Sequence, residues 1–513
     1  MSRLRNFSRS LATSYLQLVV NVLYSLASVP LILHWLSTDE FGLWTLLVQL
    51  MSYLFLIDLG INQAISRFLI DHKDSRHSGE YGALVKTSFL VSAAQGAIVL
   101  ALVLFGSPLL ATLMNIPLKH AALFVSLMRW QGLIVAFNFC MNPLNIMLMA
   151  QQRTDVISRL SIYNLILNLA MLGFLLARGV GIYSFIYATA ATAVLTSLQL
   201  FWHCRRLGFM PHGSGWGRTN WAQFKEVFFY GKDVFLINLG GQLITASQTI
   251  IVSRMLGLEA AAAWSVGTKV MMLIRQITFQ PYSAAAAGLS EMLARGETER
   301  LRLRFKNLVS LIASLGAYCG VTYVLCNSLF VEIWTRGKIT WSPKYDVLLA
   351  LWLFFTAMQA PHCNFVFVTK QVANMRFIYF AEGCCFVLLS MLVGWRFGFI
   401  GIIVCSVACS TLFSYNLGLR LSRRYFNVSL WELALDWVRP ALKLALILTL
   451  LAVALWAATA SLPTVWRLAI HATVMGTVGA VLFLRFGLSS QMIQDSAGRL
   501  PRPAARILER LVS

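Results

Sequence analysis

The sequence predicts an all-α polytopic membrane protein of about 14 transmembrane helices, and three observations carry that reading. Of its 513 residues, 58% are hydrophobic and only 12% charged, whereas a soluble domain is roughly 45 to 50% apolar and 25% charged. The mean hydropathy is +0.70. Apolar runs of about 17 to 25 residues, long enough to cross a bilayer core, recur along the whole chain with no gap that would hold a folded soluble domain. A water-soluble fold is excluded.

In chain order the spans are read near 11–36, 43–66, 84–105, 121–149, 160–177, 182–203, 227–255, 261–286, 307–330, 345–368, 377–394, 399–419, 441–460 and 468–484. Arg3, Arg5 and Arg9 precede the first. That run is too long for the apolar core of a cleaved signal peptide, so the first helix is expected to stay. If the N-terminus is cytoplasmic, the loops on its side hold about 29 of the 42 lysines and arginines, the asymmetry that positive-inside orientation produces. The opposite loops hold Lys119, Arg178, Arg336, Lys338, Lys344, Arg396 and Arg467. An even number of spans with both termini inside follows.

The halves repeat. A shift of about 220 residues lays Leu36, Asp39 and Trp44 over Leu256, Glu259 and Trp264, so each half holds a helix, a short acidic turn and a helix opened by Trp. Two pseudo-symmetric six-helix bundles are expected, at 1–204 and 227–424, joined by a cytoplasmic linker at 205–226 with Gly213, Gly215 and Gly217. An interfacial segment and helices 13 and 14 occupy 425–484, and a basic tail 485–513. Trp221 to Phe229 and Ser429 to Trp437 read as amphipathic interfacial stretches, the second with Leu430, Trp431, Leu433 and Trp437 toward lipid.

No cofactor or metal site is legible. Gly337-Lys338 is followed by Ile339 and makes no phosphate loop. The nine cysteines fall in or beside apolar runs without zinc spacing and read as packing residues. The net charge of +22 is spread over many short loops, which fits orientation and anionic lipid better than nucleic acid. No large external loop offers a place to assemble catalytic side chains.

What the spans do carry is charge. Arg129 lies in the fourth, Lys232 and Asp233 near the inner end of the seventh, and Lys269 and Arg275 in the eighth. A charge at bilayer depth costs at least about 2.5 to 3.5 kcal/mol, so such cations face a wet cavity or a partner. Asp58 and Glu382 are available as partners for Arg129 or Arg275; cations nevertheless outnumber acids, which leaves positive charge for an anion. Polar stripes at steps of three or four, Ser14, Gln17, Asn21, Ser25 and Ser28 on the first helix and Asn238, Gln242, Thr245 and Thr249 on the seventh, line a cavity or glue helices together. Asp58, with Arg67 nine residues on, is a candidate for proton or sodium coupling or for an internal latch, as are Asp233 and Glu382. His362 beside Pro361 reads as a packed residue.

The stretch LSTDEFGLWTLLVQLMSYLFLIDLGINQAISRF, Leu36 to Phe68, resembles the opening of Wzx-type polysaccharide flippases, where an F-G-x-W turn leads through D-L-G to an Arg. FFYGKDVFLINLGGQLITASQTIIVSRMLG is similar to the start of that family's second half. The resemblance implies membership of the multidrug/oligosaccharidyl-lipid/polysaccharide exporter superfamily, with two bundles around a cavity that opens alternately to each side. It further implies a substrate: an O-antigen or exopolysaccharide repeat unit on polyprenyl pyrophosphate, moved from the cytoplasmic to the periplasmic leaflet of a bacterial inner membrane. Membrane lipid and other glycan-assembly membrane proteins are the implied partners. Arg129, Lys232, Lys269 and Arg275 would receive the pyrophosphate. A cation-coupled multidrug exporter would favour acidic and aromatic residues in its cavity, and a lipid II flippase an arginine within the first helix. A membrane glycan polymerase or ligase would need a substantial external loop.

Overall fold

A computed structural model describes residues 2–71, 79–151, 153–211, 213–217, 225, 235–369 and 375–488. All regular structure among them is helical. The chain is a multi-pass membrane protein that divides into two compact units, Met1–Ala262 and Ala263–Ser513. The division falls beyond the linker at 205–226 that the repeat suggests, because the helix ending at Leu256 packs with the first unit.

The first unit holds α1 (Ser2–Trp35), α2 (Thr38–Leu54), α3 (Ile61–Asp71), α4 (Gly79–Leu113), α5 (Leu118–Ala150), α6 (Thr154–Ala177) and α7 (Tyr183–Arg206). It also holds α8 (Phe235–Leu256). Each boundary has a local cause. Ser37 caps α2 through a reciprocal capping box with Glu40, which satisfies two orphan donors at the tight outer turn. Gly257, at φ 92°, supplies a conformation that costs other residues strain and separates α8 from α9 (Leu258–Gly267). The linker glycines serve close packing: a Cβ on Gly82 of α4 would run into the backbone of Gly215 and Trp216. Tyr81 also ties α4 to this segment, donating to the Phe209 carbonyl at 3.1 Å.

The second unit holds α10 (Lys269–Ala294), α11 (Thr298–Trp334), α12 (Pro343–Val368), α13 (Met375–Ser410), α14 (Asn416–Phe426) and α15 (Arg439–Ala458). The last helix is α16 (Thr464–Gly487). The repeat legible in the sequence has a packing counterpart in each unit. Trp44 stacks on Phe185 at 4.2 Å, and Trp264 packs on Phe399 at 5.3 Å. Phe185 and Phe399 both lie near the start of the expected sixth and twelfth spans, so the Trp that opens one helix meets the Phe that opens another in both halves.

Among the described residues, 11 helical stretches are long and apolar enough to cross a bilayer, fewer than the expected fourteen. Met375–Phe426 counts once but contains two expected spans, broken at Gly398, whose φ of 56° and ψ of −137° are not helical. The expected spans 261–286 and 345–368 are helical but less apolar: the first carries Lys269 and Arg275, the second Gln359, His362 and Asn364.

One further expectation is corrected. Of the four residues assigned to the lipid face of the interfacial segment, Leu430 and Trp431 are exposed, at 41% and 72%, whereas Leu433 and Trp437 are fully buried. A π-turn over Glu432–Asp436 widens the helix and turns both side chains into a cluster with Phe305, Phe365 and Phe426. His362 is packed there too, its ring stacked near Trp437 and its Nδ1 2.9 Å from the Ser422 hydroxyl. The Trp221–Phe229 stretch, apart from Lys225, lies outside the described residues.

Candidate functional site

In the first unit the expected second span is interrupted where the sequence reads Asp58-Leu59-Gly60. A 3-10 turn over Phe55–Asp58 ends in Leu59 at φ 51° and Gly60 at φ 73°, and α3 starts afresh at Ile61. Leu59 occupies the left-handed region that non-glycine residues rarely adopt. Gln95 of α4 holds the break, its Nε2 donating to the Ile57 and Asp58 carbonyls at 3.1 and 3.2 Å. Interruption of a membrane helix frees backbone groups that neighbours must satisfy, and Gln95 does so here.

The break points Asp58 into a cavity of about 340 Å³ that it shares with Asn62, Asn138, Asn142, Asn145 and Thr196. Asp58 Oδ1 accepts from the Asn62 N–H at 3.3 Å, and no ion pair reaches this carboxylate among the described residues. The Oδ1 atoms of Asn62 and Asn145 are buried without a hydrogen-bond partner among the described residues, so their acceptor capacity is unspent in this conformation. A carboxylate ringed by amide oxygens and a hydroxyl can take up a proton or coordinate a hard monovalent cation. Asn138, Asn142 and Asn145 sit at steps of four and three on α5; sequence reasoning passed over that stripe, although its period was there to be read.

The polar stripes singled out in the sequence have mixed surroundings. Gln17, Asn21 and Ser25 on α1 are half-buried. Ser25 contributes a carbonyl to the Ser28 hydroxyl, and Tyr24 beside them donates to Asn168 at 2.8 Å. On α8, Asn238 is exposed and Thr245 back-bonds to the Gly241 carbonyl. Gln242 is joined to α2: its carbonyl accepts from the Tyr53 hydroxyl at 3.1 Å, and its Nε2 lies 3.5 Å from the Ser52 carbonyl. Tyr53 is also 2.5 Å from the Ser247 hydroxyl. Arg129 on α5 and Arg67 on α3 are both exposed. Lys232 and Asp233 lie outside the described residues.

In the second unit the helix break at Thr268 places Lys269 at the first position of α10. The Gly267 carbonyl just before it accepts from the Tyr323 hydroxyl at 2.8 Å and Asn327 Nδ2 at 3.1 Å. Asn327 in turn reaches the fully buried Asp346, whose Oδ1 also accepts from the Trp341 indole, both at 2.7 Å. This network fixes the turn that launches Lys269. Six residues on, Arg275 is displaced by about 9 Å along the helix and about 120° around it. Both are half-buried, and neither has an acid within ion-pair distance among the described residues.

Arg275 lies near the phenol of Tyr379 of α13. Tyr379 hydrogen-bonds the Cys363 thiol and lies near Glu382. Glu382 is 2% exposed and accepts from the Ser410 hydroxyl at 2.8 Å and the Ser414 N–H at 3.2 Å. Ser414 belongs to a π-turn over Thr411–Tyr415, a distortion that redirects backbone donors. Glu382 therefore takes serine partners rather than the arginine its charge would suggest. Tyr379 and the serines had no distinguishing signal in the sequence.

A family model described as Polysaccharide biosynthesis protein matches residues 9–287. No curated protein matches the sequence. Among solved structures, an inward-facing multidrug resistance MATE family transporter of the MOP superfamily superposes with a TM-score of 0.65 at 14% identity, covering 80% of this chain and 96% of its own. The lipid II flippase MurJ in an inward closed conformation superposes with a TM-score of 0.64 at 12% identity, covering 95% of this chain and 99% of its own. An outward-facing MATE transporter gives 0.59 at 14% identity, over 82% and 96%. These likenesses show the fold of that superfamily.

Proposed function

We propose that this chain, which belongs to the polysaccharide biosynthesis protein family, is a flippase for polyprenyl-pyrophosphate-linked oligosaccharide. It moves an O-antigen or exopolysaccharide repeat unit from the cytoplasmic to the periplasmic leaflet of a bacterial inner membrane, with both termini cytoplasmic. The carrying observation is that Lys269 and Arg275 stand on one membrane helix, half-buried and without an acid partner among the described residues. A cation left unneutralised at that depth is expensive, so its place in the fold is explained by an anion it meets during transport. Pyrophosphate is such an anion, and guanidinium and ammonium are the side chains that bind it best.

Alternating access brings these cations to the cytoplasmic leaflet and then to the periplasmic one, while the polyprenyl tail stays in lipid. Asp58 couples the cycle by taking up a proton or sodium ion in its cavity. The multidrug reading is disfavoured by this balance: in the second unit the acids Glu382 and Asp346 are buried and held by neutral donors, while Lys269 and Arg275 are half-buried without an acid, a poor match for cationic drugs.

The test is glycan display in a strain lacking the gene. Lys269→Ala and Arg275→Ala are each expected to cut surface glycan about tenfold or more, since a hydrogen bond to a charged group contributes about 1.5 to 3 kcal/mol. Membrane abundance should be unchanged. Normal glycan from both variants, at normal abundance, rejects the role assigned to them.

A further inference from the structure

We propose that the arginine-lined pocket at the end of α14 binds the headgroup of an anionic bilayer phospholipid. The pocket, about 990 Å³, is bordered by Arg420, Arg423, Arg424, Asn427, Ser429 and Leu430. Spacings of three and four residues put the three guanidiniums on one helix face, where like charges repel unless an anion lies among them. All three are exposed, and no ion pair engages them among the described residues. The acid nearest in sequence, Glu432, is already held by Arg302 at 3.0 Å and by the Trp437 indole at 3.3 Å. Asp436, the next, is exposed.

The backbone occupies one of the carbonyls at the negative end of the helix. Asn427 adopts φ 51°, and its N–H and that of Val428 both cap the Arg423 carbonyl. Ser429 Oγ accepts from the Glu432 N–H at 3.0 Å, which leaves its hydroxyl proton free to donate. The wall of the pocket thus presents donors, the complement of a phosphate.

Lipid, rather than a soluble phosphate, is indicated by what adjoins the arginines. Leu430 and Trp431 are 41% and 72% exposed, while Leu433 and Trp437 anchor the same segment in the protein. Tryptophan with an apolar neighbour beside a basic cluster is the pattern of a membrane interface, where the ring lies at headgroup level. A soluble anion would leave Leu430 and Trp431 against water.

The test uses the full chain in detergent micelles with phosphatidylglycerol and phosphatidylethanolamine, reading retained lipid by native mass spectrometry. Wild type is expected to retain phosphatidylglycerol preferentially, and inorganic phosphate at millimolar concentration is expected not to displace it. R420Q/R423Q/R424Q should lower that retention on the order of a hundredfold, the equivalent of about 1 kcal/mol per arginine, and leave phosphatidylethanolamine unchanged. Equal loss of both lipids, or no loss, overturns the proposal; so does full displacement by phosphate, which would make the pocket a site for free anions. Should the triple variant fail to accumulate, Arg424→Gln is expected to lose several-fold by itself, and unchanged retention there is equally fatal. None of these readouts depends on which substrate is transported.

Discussion

The two units treat a membrane-depth carboxylate in opposite ways. Asp58 in the first unit borders a cavity, hydrogen-bonded only within its own broken turn, by Asn62 and the Gly60 N–H, and the Oδ1 atoms of Asn62 and Asn145 beside it have no partner among the described residues. Glu382 in the second is sealed, one oxygen occupied by the hydroxyl of Ser410 at the end of α13 and the other by the Ser414 N–H of the π-turn that follows. A carboxylate with its lone pairs already filled is a structural tie, and one aimed into polar space is available to a mobile ion or proton. Position in a span says little about role; the donors around the group decide it.

That contrast is most directly broken through stability. Glu382→Ala strands the Ser414 N–H and the Ser410 hydroxyl in a buried site. At about 1 to 3 kcal/mol for each unsatisfied donor, with Ser410 able to turn toward a helix carbonyl, a loss of roughly 2 to 4 kcal/mol is expected. Asp58→Ala should cost under about 1 kcal/mol, because water replaces the carboxylate in the cavity. Denaturant unfolding of the two variants in detergent measures the difference, and equal losses would end the distinction between tie and open site.

Much of this arrangement was legible in the sequence. Apolar runs located the helices because bilayer thickness imposes a length that composition cannot disguise. The Trp44 and Trp264 correspondence was visible because each Trp opens a helix at the same offset from an acidic turn. Asp58 stood out because a carboxylate within an apolar run is rare. The asparagines opposite it on α5 were passed over, since amides at helical spacing also serve as interhelical glue. The break at Leu59 was signalled by Asp-Leu-Gly but read as continuous helix, because the residues around it remain apolar. Glu382 was read from sequence as an arginine partner or a coupling or latch candidate; its serine partners were not legible, because they lie at the entry to and within a π-turn, which no periodicity announces. Leu433 and Trp437 were misplaced for the same reason, a π-turn having shifted which side chains share a face.

The functional side of the contrast is sharpened by Asp58→Asn, which keeps size and one acceptor while removing the charge. In vesicles carrying the lipid-linked substrate, an imposed proton or sodium gradient is expected to stimulate wild-type translocation about tenfold more than that of the variant, the equivalent of about 1.4 kcal/mol. Glu382→Gln, wherever it folds, should respond to the gradient like wild type. A gradient response that survives in Asp58→Asn and disappears in Glu382→Gln would exchange the two roles.

The smallest expected effect concerns the cavity wall. Asn142 is half-buried and borders the same space as Asp58, so its amide meets polar space rather than packed protein. Asn142→Ala should then change unfolding stability by no more than about 0.5 kcal/mol, the range of substitutions that leave no buried group stranded. It should nonetheless weaken the response to the ion gradient, since one coordinating oxygen is gone. A loss approaching that of Glu382→Ala would mean that Asn142 is a buried structural partner, and the first unit would then be closed around its carboxylate in the same manner as the second.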